Sequence, residues 1–166
     1  MKLDRIRKYY YLRFIRLKGD PRSLAFGTAI GVFVGLTPTI PLHTIAILLL
    51  AFLTRTSAIA GILASVVACN PLTYIPIYYF STIIGNAVTP YELNWEKVQA
   101  VVDGLSSSPG FVHSFNLLAG LGRETVVVLL AGGIIFALPF AVVSYCLALR
   151  IFVKIRAKRQ AKHILN

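Results

Sequence analysis

The chain has 166 residues, is 57% hydrophobic, and has a mean hydropathy of +0.73 and a net charge of +11. Such a composition excludes an ordinary soluble globule and fits a single integral membrane domain. Residues 1–22 hold eight Lys/Arg and two Asp, and residues 150–166 hold six Lys/Arg and no acid. Positive charge at both ends of an apolar body marks segments facing anionic lipid, not the basic face of a nucleic-acid binder.

Residues 1–20 form a basic segment that lacks the unbroken apolar stretch of a cleavable signal peptide. Within it Leu3, Ile6, Tyr10, Phe14 and Leu17 recur at helical spacing among Arg5, Lys8, Arg13 and Arg16, which predicts an amphipathic helix on the membrane surface. A disordered basic tail is the plainer alternative. Asp20-Pro21 then predicts an N-cap followed by proline at N1, opening the single membrane domain at 21–149.

The stretch 23–54 is apolar, has no charged residue, and is interrupted by Pro38 and Pro41. Ser23, Gly27, Gly31 and Gly35 recur at four-residue steps, the pattern by which small residues bring helix backbones together in lipid. The stripe returns 34 residues later as Ser57, Gly61, Ser65 and Cys69. Each stripe runs into a cap-proline pair, Thr37-Pro38 and Asn70-Pro71, with a further proline beyond at Pro41 or Pro76. Residues 23–54 and 57–85 are therefore expected to be diverged copies of one broken helix, with the two stripes packed face to face. Chance recurrence of small residues is the rival. The halves, 23–36, 42–54, 57–69 and 72–85, would each be about 20 Å long, too short to cross a hydrocarbon core of about 30 Å. Each unit must be a re-entrant hairpin or a kinked crossing.

Residues 86–124 are more polar and predict an interfacial loop. Thr89-Pro90-Tyr91-Glu92 fits a capping box, opening a helix with Tyr91, Trp95, Val98 and Val102 on one face and ending near Gly104. Ser106 to Gly110 reads as a turn, and Phe111, Phe115 and Leu118 as a second short interfacial helix. Residues 125–149 are long enough to span, with Pro139 as a kink, and 150–166 is a basic cytoplasmic tail. Both termini should then lie in the cytoplasm. With 23–54 as a re-entrant hairpin and 57–85 and 125–149 as crossings, fifteen of the seventeen Lys/Arg face that side. An inverted pair of crossing units is the rival arrangement. The expected class is thus an all-α integral membrane protein of broken or re-entrant hairpins, transmembrane helices and interfacial amphipathic helices.

Thr37-Pro38 and Asn70-Pro71 both predict half-helix starts within the membrane. A helix start offers free N–H groups and partial positive charge, so two converging starts would suit phosphate or carboxylate. Simple kinks are the structural alternative. His43, Thr44, Thr73 and Tyr74 stand close by in sequence, with Thr39, Tyr78 and Tyr79, and polar groups at such depth favour a lined cavity. Arg55, between the units, is either a further anion contact or an anchor at the cytoplasmic face. Gly27, Gly31, Gly35, Gly61 and Ser65 are expected to pack helices. No Asp or Glu interrupts the apolar segments, which argues against carboxylate-coupled transport and an intramembrane aspartyl protease. No Walker A, H-E-x-x-H or G-x-S-x-G motif is present, so no enzymatic activity, cofactor or metal is expected. Cys69 and Cys146 lie in apolar stretches as small hydrophobes.

The run Ser23-Leu-Ala25-x-Gly27-x-Ala29-Ile30-Gly31-x-Phe33-x-Gly35-x-x-Pro38, then His43-Thr44, Arg55, Asn70-Pro71-Leu72-Thr73-x-x-Pro76 and Gly85, resembles an uncharacterised family of bacterial membrane domains, numbered twenty sixty-two among domains of unknown function. The likeness covers about residues 22–149. It implies a membrane protein of the bacterial inner membrane and supplies no mechanism; family members with Asn at position 57 or Gly at 41 differ from this chain there. The proline-tipped hairpins also look like those of DedA-type lipid translocases, an architectural likeness only. Two functions follow as expectations. One is a small, oligomeric inner-membrane transporter, translocase or binder of an anionic solute or lipid headgroup. The other is a scaffold that uses its glycine stripes for partner helices and its basic ends for anionic lipid. Anionic membrane lipid and further copies of the chain are the expected partners, and nucleic acid is not.

Overall fold

The computed structural model describes residues 17, 19–39, 42–69, 71–94, 96, 98–99 and 122–164. Five helices account for most of them: α1 Pro21–Leu36, α2 His43–Leu53, α3 Ala58–Ala68, α4 Pro71–Val88 and α5 Gly122–Ile164. All of the expected surface helix at 3–18 but Leu17, together with Pro41, Asn70, Trp95, the turn at 106–110 and the second interfacial helix, lies outside the described residues.

Helix α1 opens as its sequence dictates. Asp20 is extended, and its Oδ2 accepts from the N–H groups of Arg22 and Ser23 at 3.2 and 3.4 Å, with Pro21 at the first helical position. Beyond the first break the chain turns back, and α2 lays Ile47 between Ile30 and Val34 of α1, fully buried. At the far end of α2 the Ser57 N–H donates to the Ser23 carbonyl at 3.4 Å, so α3 begins beside the start of α1. Helices α1 and α2 are therefore a hairpin, and α3 runs parallel to α1.

The two small-residue stripes meet. A side chain on Gly27 would run into the Ser57 carbonyl, one on Gly31 into the Gly61 carbonyl, and one on Gly35 would press on Ser65 and Ala68. Backbones this close tolerate hydrogen and nothing larger along the seam. A second seam joins α4 to α5: Gly85 faces the Val128 carbonyl and Gly132 faces the Ser81 carbonyl.

Helix α5, at 43 residues, is about 64 Å long and serves as the spine. Helix α4 covers its first half in antiparallel sense, with Phe80 stacked on Phe136 at 5.5 Å. Helix α1 covers its second half, also antiparallel: Phe26 meets Tyr145 edge-on at 6.0 Å, and Leu24 and Ala25 pack with Ala148 and Phe152. The sequence α5 Gly122–Ala161 is the one described helix long and apolar enough to cross a membrane, with hydropathy 2.8 in its most apolar window. Helices α3 and α4 pass the same test together, as a pair bent by 92° at the second break.

Three expectations are corrected. Thr37-Pro38 does not start a helix: α1 ends at Leu36, Thr37 is its C-cap in an extended conformation, and α2 begins only at His43. The Thr37 hydroxyl donates backward to the Phe33 carbonyl at 2.8 Å, and a residue preceding proline is pushed out of the helical region. Thr89-Pro90 repeats the outcome. Thr89 closes α4 through its N–H and hydroxyl, both donating to the Gly85 carbonyl at 2.8 and 2.7 Å, and residues 91–94 are not helical. Asn86 holds that segment instead, receiving the Leu93 N–H and donating to the Leu93 carbonyl, both at 3.0 Å. Finally, residues 150–164 are not a separate tail but the continuation of α5.

Candidate functional site: the two helix breaks

The breaks converge on one stretch of α5. Pro38 is buried against Gly133, close enough that a side chain at 133 would displace its ring. One turn earlier on α5, Leu129 packs with Tyr78 and Tyr74 of α4. Gly35, one turn before the first break, touches Ala68, the last helical residue before the second. The sequence thus delivers Thr37, Pro38, Ala68, Thr73 and Tyr74 to one level of the fold.

The first break is satisfied largely by its own backbone. The Thr37 N–H donates to the carbonyls of Phe33 and Val34 at 3.1 and 3.2 Å. The Thr39 hydroxyl reaches the Val34 carbonyl at 3.3 Å. Thr37, at 6% exposure, is therefore committed to closing α1. The second helix of this unit begins differently: Leu42 is its N-cap and makes no side-chain capping bond. An uncapped start leaves N–H groups without a side-chain acceptor. His43 sits there half-buried, its Nε2 3.4 Å from the exposed Thr44 hydroxyl and its Nδ1 buried with no partner among the described residues.

The second break is tighter. Helix α4 restarts at Pro71, as expected for proline at a first helical position. Thr73 bridges back, its hydroxyl donating to the Ala68 carbonyl at 2.9 Å. The Tyr74 hydroxyl lies beside the Cys69 thiol. Tyr78, one turn further, lies on the same face as Tyr74, and helical side chains lean toward the N-terminus of their helix. Its hydroxyl is 2% exposed with its residue and has no partner among the described residues, as is also true of the fully buried Ser81 hydroxyl.

Arg55 is not brought to this site. It occupies the turn between α2 and α3, an eleven-residue helix and so about 15 Å away from His43. There it adopts φ 52°, with its N–H bonded to the Phe52 carbonyl and the Thr56 N–H to the Ala51 carbonyl, a Schellman ending in which glycine is usual. Arg55 joins Asp20, Arg22, Arg156 and Arg159 at the basic end of the molecule. Ser81, Gly132 and Gly133 were not singled out from sequence. The signal for them was present, since Ser81 and Gly85 are four apart and a glycine pair interrupts the last apolar run.

Chemically, the stretch that carries both breaks offers hydroxyls, an imidazole and amides, and no acid. Residues 21–91 contain no Asp or Glu, so His43, the hydroxyls and the amides of α2 face no built-in anion from that stretch. Among the described residues no three His, Cys, Asp or Glu side chains gather as metal ligands would. No curated protein and no solved structure matches the chain. Residues 4–161 match the family model described as an uncharacterised protein conserved in bacteria, DUF2062. The chain, matched over nearly its whole length, belongs to that bacterial family.

Proposed function

We propose that the chain is a multi-pass protein of the bacterial inner membrane that binds, and moves between leaflets, an anionic solute or lipid headgroup where its two helix breaks converge. Membrane insertion is supported by α5 and by the unpaired apolar surface of α2, where Phe52 and Leu53 are 82% and 73% exposed. With the basic end cytoplasmic, α1 and α2 dip into the membrane from that side as a re-entrant hairpin, α3 and α4 cross as one bent span, and α5 returns. The chain acts without cofactor or metal and as a carrier, not an enzyme. A second copy against the exposed face of α2 supplies the far wall of the pathway.

One observation carries the reading. The fold leaves the His43 Nδ1, at the start of α2 beyond the first break, and the Tyr78 hydroxyl, two turns beyond the second, without partners among the described residues, although buried polar groups are costly unless paired. A phosphate or carboxylate oxygen satisfies a donor of either kind, and the uncapped start of α2 favours negative charge. The scaffold reading needs glycine stripes on offer to partner helices, and here both seams are filled from within the chain.

The test is reconstitution into phosphatidylcholine vesicles carrying a trace of fluorescently headgroup-labelled phosphatidylglycerol, with external dithionite reporting exposure of the inner leaflet. Wild-type protein should expose inner label, and Tyr78→Phe and His43→Ala should slow exposure about tenfold, the scale of losing one hydrogen bond to an anion. Wild-type vesicles that behave like protein-free ones would refute translocation. Wild-type rates in both variants would refute the site.

A further inference from the structure

A second site lies at the other end of the spine. Gly19, Asp20, Pro21 and Leu24 face Phe152, Ile155, Arg156 and Arg159 across a cleft of about 280 Å³. Arg156 is 23 residues beyond Gly133, which places the cleft about 35 Å along α5 from the helix breaks. The two sites share no residue.

The lining is graded. Phe152, Ile155, Arg156 and Arg159 lie on one face of α5 at steps of three, one and three. Phe152 is 3% exposed and packs on Leu24 and Ala25, so the deep part of the cleft is apolar. One and two turns further the same face carries the guanidinium groups of Arg156 and Arg159, with Ile155 beside the first. An apolar floor that becomes cationic along the axis of a membrane helix matches a phospholipid standing in its leaflet, with acyl carbons toward Phe152 and phosphate toward Arg156 and Arg159. A free phosphate would use the arginines alone and leave the apolar half unexplained.

The cleft also contains its own competitor. Asp20 Oδ1 accepts from Arg156 Nη1 at 3.3 Å, while its Oδ2 caps α1. Both side chains of this ion pair are more than half exposed, so the contact is readily exchanged. Arg159 Nη1 donates to the Leu17 carbonyl at 3.3 Å, which holds the chain entering α1 against the same face.

We propose that this cleft is a docking site for an anionic phospholipid, whose phosphate displaces the Asp20 carboxylate from Arg156 and thereby ties the entry of α1 to the end of α5. The proposal is independent of the break site, and it makes Asp20 an inhibitor of binding as well as a cap. Asp20→Asn separates those roles, since asparagine caps as well as aspartate but carries no charge.

The experiment is native mass spectrometry of the full chain released from detergent, titrated with phosphatidylglycerol or with phosphatidylcholine. Wild-type protein should retain phosphatidylglycerol preferentially. The double variant Arg156→Gln/Arg159→Gln should bind it about tenfold more weakly with phosphatidylcholine binding unchanged. Asp20→Asn should bind phosphatidylglycerol about two- to fivefold more tightly, the scale of one exposed ion pair. A thermal melt of each variant in detergent confirms that it is folded. Unchanged binding in either variant overturns the proposal, as does displacement of the lipid by excess inorganic phosphate.

Discussion

The two broken units start alike and finish differently. Helices α1 and α3 are parallel, pressed together along glycine and serine, and each ends at a proline-containing break. After the first break six residues separate the helices and α2 folds back; after the second only two intervene and α4 sets off at 92°. The difference lies in the length of the joint and in the hydroxyl that bridges it. Thr37 carries a hydroxyl that donates to the carbonyl four residues back, so it closes a helix. Across the second break the Thr73 hydroxyl, on the far side of the joint, reaches back to the Ala68 carbonyl and holds the start of α4 against the end of α3. Two stretches with similar small-residue stripes thus end as a hairpin and a bent rod.

The comparison breaks most easily at the seams. Gly31→Leu would drive a side chain into the Gly61 carbonyl, and Gly132→Leu one into the Ser81 carbonyl. Each should cost about 3 kcal/mol and abolish the monodisperse peak in detergent gel filtration. If Gly132→Leu is tolerated, α4 does not lie on α5 as described. Next come the bridges across the breaks. Thr73→Val removes the bond to the Ala68 carbonyl and should lower stability by about 1 kcal/mol in a thermal melt. Thr37→Val should cost about half as much, because the Thr37 N–H still reaches the Phe33 carbonyl. The reverse order would mean that the first break is the more demanding one. Smallest, and opposite in sign, is Arg55→Gly. Glycine at φ 52° relieves the left-handed strain and should raise stability by up to about 1 kcal/mol, while leaving headgroup exposure by the break site intact.

Helix boundaries were legible where a side chain or small-residue period announced them. The break positions, the parallel stripes and the Pro21 and Pro71 starts all follow from residue type and spacing. Thr-Pro misled because threonine is both donor and acceptor, and the sequence does not say which capacity its surroundings will use. Helix α5 runs on through Arg150–Arg159 because Lys and Arg are good helix formers and nothing in that stretch ends the helix. The orphaned hydroxyls of Tyr78 and Ser81 could not be foreseen, since their lack of partners depends on α5, more than forty residues away.

The central claim is that the breaks lie within the hydrocarbon core, and depth measured by spin labelling tests it most directly. Leu42 and Leu53, both exposed and at opposite ends of α2, are replaced singly by spin-labelled cysteine in a Cys69→Ala/Cys146→Ala background, in phospholipid vesicles. Relaxation by oxygen against a water-soluble nickel chelate then ranks the two depths. The account predicts the label at 42 to lie deeper than that at 53 by about 15 Å, the length of α2. Equal depths, or a label at 42 resting at the headgroups, would contradict it.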